Sequence, residues 1–178
     1  MNWLNAVRGG LLSTVLLSTP GWGVELSDGT IAFEQSPRLE NAYTTFSDVW
    51  MTGAKYYFTV SVPPDAGEPL NKIVIRQRGG VEDIDFRPDR TLAFLGTGRK
   101  KGEPLEIAKL NYDPERIAFD IELADAITPG ETFTIGLRPV RNPRISGTYL
   151  FGVTVFPAGE KSQGLYLGPG RLTFYRLF

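Results

Sequence analysis

The chain has 178 residues, of which 19 are lysine or arginine and 20 are aspartate or glutamate, so its net charge at pH 7 is −1. It contains no histidine and no cysteine. These absences exclude a Ser–His triad, an imidazole or thiolate metal site, a thiolate nucleophile and a disulfide. The balanced charge does not favour a nucleic-acid-binding protein. Composition therefore favours a non-catalytic protein that needs no cofactor.

Residues 1–23 have the layout of a secretory signal peptide. Arg8 precedes a short apolar run, and a proline and two glycines follow it as a helix breaker and a cleavage site. The apolar run is shorter than the roughly 20 residues that span a bilayer. We expect cleavage after Gly23 and export of residues 24–178 without a transmembrane segment. An uncleaved anchor is the alternative.

Runs in which apolar and polar residues alternate fill the rest of the chain, and this period of two is typical of half-buried strands. In the four clearest runs, we expect one face in the core and the other in water. Those four runs are 56–62, 117–123, 133–137 and 149–155. In chain order the predicted strands are 30–34, 39–46, 56–62, 72–78, 91–95, 105–110, 117–123, 133–137, 149–155 and 171–175.

Turns rich in proline and glycine separate these strands at the short spacing of a sandwich or barrel. Helix is expected only as short turns near 65–70 and 88–91. The run Gly168-Pro169-Gly170 predicts a sharp bend before the last strand. We predict an all-β fold, a single antiparallel β-sandwich of immunoglobulin-like shape over residues 24–178 with little helix. A partly closed barrel is the alternative.

Three arginines, Arg138, Arg141 and Arg144, stand three residues apart around Pro139 and Pro143. In an extended, proline-rich loop this spacing turns the side chains in similar directions. Guanidinium groups so placed can hold a carboxylate, a phosphate or a sulfated sugar. The favoured interpretation, however, is that each arginine pairs with an acidic residue or a loop carbonyl and holds the loop in place.

Arg171, Tyr149 and Tyr166 complete the predicted binding site for an anion or a partner. Trp50, Tyr166 and Tyr175 are candidates for an exposed aromatic face. Sandwich domains more often bury such side chains and leave the hydroxyls at the edge of the core, so the core is the favoured interpretation.

Acidic residues raise two further hypotheses. Glu82, Asp83, Asp85 and Asp89 lie in one segment and offer oxygen ligands for calcium. They lack the EF-hand spacing and equally suit the wet face of a strand, so no metal site is predicted. A pair of carboxylates can also hydrolyse glycosides. A carboxylate-based hydrolase of envelope glycans is therefore the alternative function, although no local sequence marks out a pair.

Several strings of residues carry a resemblance to a known family. The most specific are Ile135-Gly-Leu-Arg-Pro-Val-Arg-Asn-Pro143 and Pro157-Ala-Gly-Glu-Lys161, with Leu26-Ser-Asp-Gly-Thr30 and Tyr149-Leu-Phe-Gly-Val153 beside them. The chain resembles family 2808 of exported cyanobacterial domains of unknown function over nearly all of its mature length. The resemblance implies a signal peptide and one β-rich domain. It brings no activity, ligand or catalytic residue.

We therefore expect an exported, non-catalytic β-sandwich that binds or scaffolds a component of the cell envelope. The periplasm, the cell surface and the thylakoid lumen are the candidate compartments. An envelope protein and an acidic glycan are the candidate partners.

Overall fold

The computed structural model describes residues 24–25 and 29–176, so the predicted signal peptide lies outside the described residues. Within these residues the chain forms twelve strands and a 3-10 helix at Pro88–Arg90. The strands are β1 (Val24–Glu25), β2 (Ile31–Ala32), β3 (Arg38–Thr44), β4 (Tyr56–Ser61), β5 (Leu70–Gly79), β6 (Leu92–Gly96), β7 (Lys101–Leu105), β8 (Ile107–Asp113), β9 (Ala118–Ile127), β10 (Thr132–Leu137), β11 (Gly147–Pro157) and β12 (Leu165–Phe174).

Two five-stranded antiparallel sheets form a sandwich. Sheet one has the order β3-β4-β10-β6-β7, and sheet two has the order β12-β11-β5-β9-β8. β1 and β2 form a separate short ribbon. The predicted antiparallel β-sandwich of immunoglobulin-like type with little helix is confirmed. The predicted strand 105–110 is two strands, because the chain leaves sheet one after Leu105 and enters sheet two at Ile107.

The core lies between the sheets and is built by the inward rows that the alternation predicts. Aromatic rings from both sheets interlock there: the Phe151 ring meets Tyr56, Phe58 and Phe86 edge-on, at centroid distances of 6.1, 5.6 and 6.1 Å. Such T-shaped pairs add to the stabilisation that comes from burial. The chain therefore has a large apolar core in place of disulfides.

The outer face of sheet one is less exposed to solvent than the alternation of apolar and polar residues predicts. Tyr57, Thr59 and Thr134 point away from the core, yet each is at most 3% exposed. Lys101 on β7 lies over the rings of Tyr57 and Phe94, with Nζ 5.4 and 5.3 Å from the two centroids. The expected wet face of 56–62 and 133–137 is therefore wrong, because side chains from distant strands cover it.

Two local predictions also differ from the structure. Gly168 has φ +101° and lies inside β12, where Val153 pairs with Gly168 and Thr154 pairs with Tyr166. The glycine run therefore forms a β-bulge within the strand and not a bend before it. Residues 65–70 form a turn and the start of β5, so only the predicted helical turn near 88–91 is present.

Candidate functional site

One end of the sandwich gathers the loops that carry most of the predicted site. In sheet one, Tyr56 at the start of β4 pairs with Thr44 at the end of β3 and with Leu137 at the end of β10. In sheet two, Gly147 at the start of β11 pairs with Phe174 at the end of β12, and β5 also ends at this edge. Antiparallel pairing thus brings the segments 45–55, 80–87 and 138–146 together, with Tyr175 beside them.

Asn142 fastens the segment 138–146 to the segment 45–55. Its side chain is fully buried, and its Oδ1 accepts a hydrogen bond of 2.9 Å from the Tyr56 hydroxyl. Its Nδ2 donates to the carbonyl oxygens of Phe46 and Asp48 at 2.8 Å each. Its backbone N–H donates to the Met51 carbonyl at 2.8 Å. Burial raises the pKa of Tyr56 above its ordinary value, so the hydroxyl stays protonated and remains a donor.

Glu82 holds the same loop from the other side. One carboxylate oxygen lies 2.9 Å from Arg144 Nε, and the other accepts the backbone N–H groups of Ile145, at 2.9 Å, and of Arg144. Partial burial of this carboxylate opposes its ionisation. The hydrogen bonds from Arg144 and Ile145 outweigh that effect and hold the pKa of Glu82 below its ordinary value. Arg144 is therefore paired with an acidic residue, as the favoured structural interpretation predicts.

Trp50 is the aromatic centre of this end. Its side chain is 49% exposed, its backbone has φ 63°, and its N–H donates to the Pro143 carbonyl at 3.0 Å. The guanidinium carbons of Arg141 and Arg144 lie 5.4 and 6.0 Å from its ring centroid, which is cation–π range. A left-handed backbone is unfavourable for a bulky residue, so the surrounding hydrogen bonds hold Trp50 in place.

A cavity of about 340 Å³ opens beside Trp50, and its charge is mixed. Arg141 and Arg144 line it together with Glu82, Asp83 and Asp85. Since carboxylates outnumber the arginines, the cavity does not favour a simple anion. Its pattern suits a partner that presents charges of both signs.

Exposed apolar side chains are concentrated at this end. The described part of the chain has seven large apolar side chains that are exposed. Five lie on the three gathered segments, Tyr175 lies beside them, and only Tyr166 lies elsewhere. Single exposed apolar residues are ordinary, whereas a collected group marks an interaction surface. We call this surface the tryptophan end; it comprises Phe46, Trp50, Met51, Val81, Arg141, Arg144, Ile145 and Tyr175.

Backbone hydrogen bonds join the parts of the tryptophan end into one frame. Tyr175 N–H donates to the Ser47 carbonyl at 2.8 Å, and Val49 N–H donates to the Tyr175 carbonyl at 3.0 Å. Glu82 ties the segment that carries Val81 to Ile145. The exposed side chains are therefore presented from a fixed backbone.

The other predicted site residues lie elsewhere. Arg138 lines a separate cavity of about 210 Å³ with Lys55 and Arg90. Tyr149 is buried in the core, and its hydroxyl donates to the Ile145 carbonyl at 3.0 Å, so it supports the loop from below. Arg171 is exposed on β12, where it pairs with Leu150, and Tyr166 is exposed on the same strand. The structure thus brings together only Arg141 and Arg144 of the predicted set.

The exposed aromatics correct one interpretation. Trp50, Tyr166 and Tyr175 are about half exposed, so assigning them to the core is wrong. Asn142 and Glu82, which build the site, were not marked as its members by sequence. The one local signal was the presence of apolar side chains, such as Ile145, inside loops that are otherwise polar.

The acidic segment, Glu82 to Asp89, contributes to the structure through the hydrogen bonds of Glu82 to the arginine loop. Among the described residues, no group of three or more acidic side chains is arranged to hold a metal ion. Glu82 is bound to the arginine loop, and its pKa is lowered, whereas a catalytic acid needs a raised one. Asp83 and Asp85 contribute, after burial itself, to raising the pKa of Tyr112.

In the described part of the chain, no helix has the length and hydrophobicity to cross a membrane.

A sequence comparison with curated proteins gives no match. Among solved structures, the collagen-binding domain of a Staphylococcus aureus adhesin is similar, with 8% identity, a TM-score of 0.41, and coverage of 83% of this chain and 99% of that one. ACE19, the collagen-binding subdomain of the Enterococcus faecalis surface protein ACE, gives 6% identity, a TM-score of 0.42, and coverage of 79% and 99%. The bacterial hydrophobin BslA gives 14% identity, a TM-score of 0.42, and coverage of 79% and 92%.

All three TM-scores lie below 0.5 and all three identities lie below 15%, so these similarities carry no conclusion about this chain. A family model matches residues 30–174, which include the arginine loop and the strings 135–143, 149–153 and 157–161 that carry the resemblance. The chain therefore belongs to the family described as Protein of unknown function (DUF2808).

Proposed function

We propose that this chain is an exported, non-catalytic module that binds a partner protein of the cell envelope through the tryptophan end. The observation that carries the proposal is the collection of six exposed apolar side chains that includes Trp50, with Arg141 and Arg144 against its ring. Export is supported by the layout of residues 1–23. The periplasm, the cell surface and the thylakoid lumen all remain candidate compartments.

The residue types at the tryptophan end support a protein partner. Tryptophan, tyrosine, methionine and arginine are enriched at protein interfaces, and Trp, Tyr and Arg dominate the energetic hot spots. The aromatic centre is surrounded by smaller apolar side chains that would exclude water from it on binding.

The rigidity of the frame supports the same proposal. Binding costs free energy when loops and side chains must be ordered. Here Asn142 and Glu82 already hold the loops, and two guanidinium groups already flank Trp50. A partner would therefore meet a surface that is largely preorganised.

The charges around Trp50 would set partner choice more than affinity. Arg141 is exposed beside the ring, while Glu82, Asp83 and Asp85 line the neighbouring cavity. A partner that presents an acidic group toward Arg141 and a basic group toward the cavity would be complementary.

Affinity capture of paired variants tests the proposal. The full chain would carry an epitope tag after Arg99, in the β6–β7 turn at the opposite end of the sandwich, and would be crosslinked in its native cells. We expect the wild type and Tyr166→Ala to retain the same envelope protein, and Trp50→Ala combined with Arg141→Ala to lose it. Tyr166 is a matched control because it is 52% exposed and lies outside the tryptophan end. Equal capture by the double variant would contradict the proposal.

A further inference from the structure

The outer face of sheet two carries three arginines in one depression, and no residue of the tryptophan end lines it. Arg76 and Arg78 stand on β5, and Arg116 lies in the turn between β8 and β9. The depression has a volume of about 400 Å³. That size falls in the range of roughly 300–1,000 Å³ in which small-molecule sites are found.

The carboxylates in this depression are already engaged. Asp120 Oδ2 lies 2.9 Å from Lys72 Nζ. Asp113 Oδ1 accepts the backbone N–H groups of Glu115 and Arg116 at 3.0 and 3.1 Å, as a turn-capping aspartate does. Arg116 Nε lies 3.7 Å from Asp113 Oδ2 in an exposed ion pair, whereas the guanidinium groups of Arg76 and Arg78 have no ion pair among the described residues. The lining therefore carries three guanidinium groups against two carboxylates.

Arg76 supplies a second, independent observation. Its Nε is buried and has no hydrogen-bond partner among the described residues. A buried donor without an acceptor is costly, and a charged one more so. An oxyanion that enters the depression would meet this donor, and a carboxylate is the planar group that matches a guanidinium fork.

Gly152 shapes the floor beside the arginines. A Cβ at Gly152 would lie 3.0 Å from Arg78 Cγ and 3.1 Å from Tyr166 Cε2, so both side chains lie close over this glycine. Tyr166 is half exposed, so part of its ring faces solvent next to Arg78. A sugar ring can place its apolar C–H face on such an aromatic ring while its carboxylate meets the arginines.

Neutral polar groups complete the surface. Asn111 on β8 and Thr154 on β11 line the depression and offer both donors and acceptors. Hydroxyl groups require such mixed partners, whereas the side chain of an acidic peptide needs only donors. We propose that the outer face of sheet two binds a polysaccharide that bears uronic-acid residues, with the carboxylate on Arg76, Arg78 and Arg116 and a sugar ring on Tyr166.

Isothermal titration calorimetry of residues 24–178, the expected mature chain, with short oligogalacturonate tests this inference. We expect binding that weakens with added salt. The methyl-esterified oligomer, which keeps the rings and loses the charge, should bind about tenfold more weakly or worse. Poly-glutamate tests for an acidic peptide, and preference for it over oligogalacturonate would overturn the assignment to a sugar. No binding of oligogalacturonate at low salt would also overturn it.

Variants locate the site. Arg78→Gln and Arg116→Gln should each weaken binding by about tenfold, because each removes a charge-assisted hydrogen bond. Arg38→Gln is the matched control, since Arg38 is an exposed arginine on the edge strand β3 of the other sheet. Trp50→Ala should also leave glycan binding unchanged, so this inference and the proposed protein partner can fail separately. Equal binding by the arginine variants and the control would overturn the inference.

The variant Gly152→Ala tests the same site without removing a charged side chain. The added methyl group would push Arg78 and Tyr166 out of their positions over the strand. We expect weaker oligogalacturonate binding with no loss of thermal stability, because alanine is the better residue in a strand interior. Unchanged binding together with unchanged stability would show that this arrangement does not form the site.

Discussion

Glu82 joins two loops through one carboxylate, and its charge matters for this role. The side chain is 13% exposed, whereas that of Arg144 is 63% exposed. A pair with one partner in solvent contributes little by itself. Most of the effect therefore comes from the two backbone N–H groups that the carboxylate accepts.

The lowered pKa of Glu82 makes this contribution depend on pH. A carboxylate with a lowered folded pKa stabilises the folded state above its ordinary pKa, which is 4.5 here, and loses that effect as the pH falls through the folded value. We expect Glu82→Gln to lower the free energy of unfolding by about 1 kcal/mol at pH 7. The difference from the wild type should shrink as the pH falls below 4.5. Urea unfolding across this pH range measures it, and a difference that stays constant would contradict the role of the charge.

Asn142 is the residue on which the shape of the tryptophan end most depends. Asn142→Ala would leave the Tyr56 hydroxyl and the Asp48 carbonyl without this partner, while the Phe46 carbonyl keeps its hydrogen bond from Thr44 Oγ1. Each unsatisfied buried group costs about 1–3 kcal/mol, so we expect a total loss of about 2–5 kcal/mol. Chemical denaturation measures the loss, and Asn41→Ala, at an exposed position, is the matched control. A loss no larger than that of the control would show that the loop is held by other contacts.

Sequence reasoning at this scale found the arginines but not what holds them. The Arg-Pro spacing pointed to a functional loop, and two of its arginines do meet at Trp50. Asn142 and its partner Tyr56 are 86 positions apart, and the Phe46 carbonyl is 96 positions away. A local sequence pattern cannot predict contacts between residues so far apart in the chain, so these contacts become visible only in the folded structure.

Strands were the most predictable elements. Alternation with a period of two located the inward rows of β4, β9, β10 and β11, since an apolar row must face the core to be stable. Alternation could not show that the outer row of sheet one is also covered. Tyr57 and Phe94 come from different strands, and only the order β4-β10-β6 places their rings 5.9 Å apart.

The covered outer face of sheet one contains a coupled pair of hydroxyls. Thr59 and Thr134 lie 2.8 Å apart, and Thr134 donates in turn to the Gly96 carbonyl at 2.7 Å. We expect Thr134→Val to lower the free energy of unfolding by about 1–2 kcal/mol, because the buried Thr59 hydroxyl loses its hydrogen-bond partner. Adding Thr59→Val should recover part of that loss, since both partners are then apolar. A thermal-unfolding double-mutant cycle measures the coupling, and strictly additive losses would contradict it.

The matched pair for that cycle is Thr148 and Thr173, whose hydroxyls lie 3.1 Å apart at an exposed position. Water can replace this hydrogen bond, so Thr148→Val should cost less than Thr134→Val. The comparison separates the effect of burial from the effect of the hydroxyl contact itself.

At the scale of the whole molecule, the sandwich provides two surfaces that do not share residues. The tryptophan end is formed by loops at one end of both sheets, and the arginine depression lies on the outer face of sheet two. We expect a protein partner and an acidic glycan to bind independently, with neither changing the affinity of the chain for the other.

Position-specific photo-crosslinking tests the proposed protein partner most directly. A photoreactive phenylalanine analogue would replace Ile145 or Tyr175 at the tryptophan end, and Asp125 on β9 as the exposed control. We predict that Ile145 and Tyr175 crosslink in native cells to the same envelope protein, that Asp125 does not, and that Trp50→Ala abolishes the adduct. An adduct with that protein from Asp125 alone, or no adduct from either position at the tryptophan end, would contradict the account.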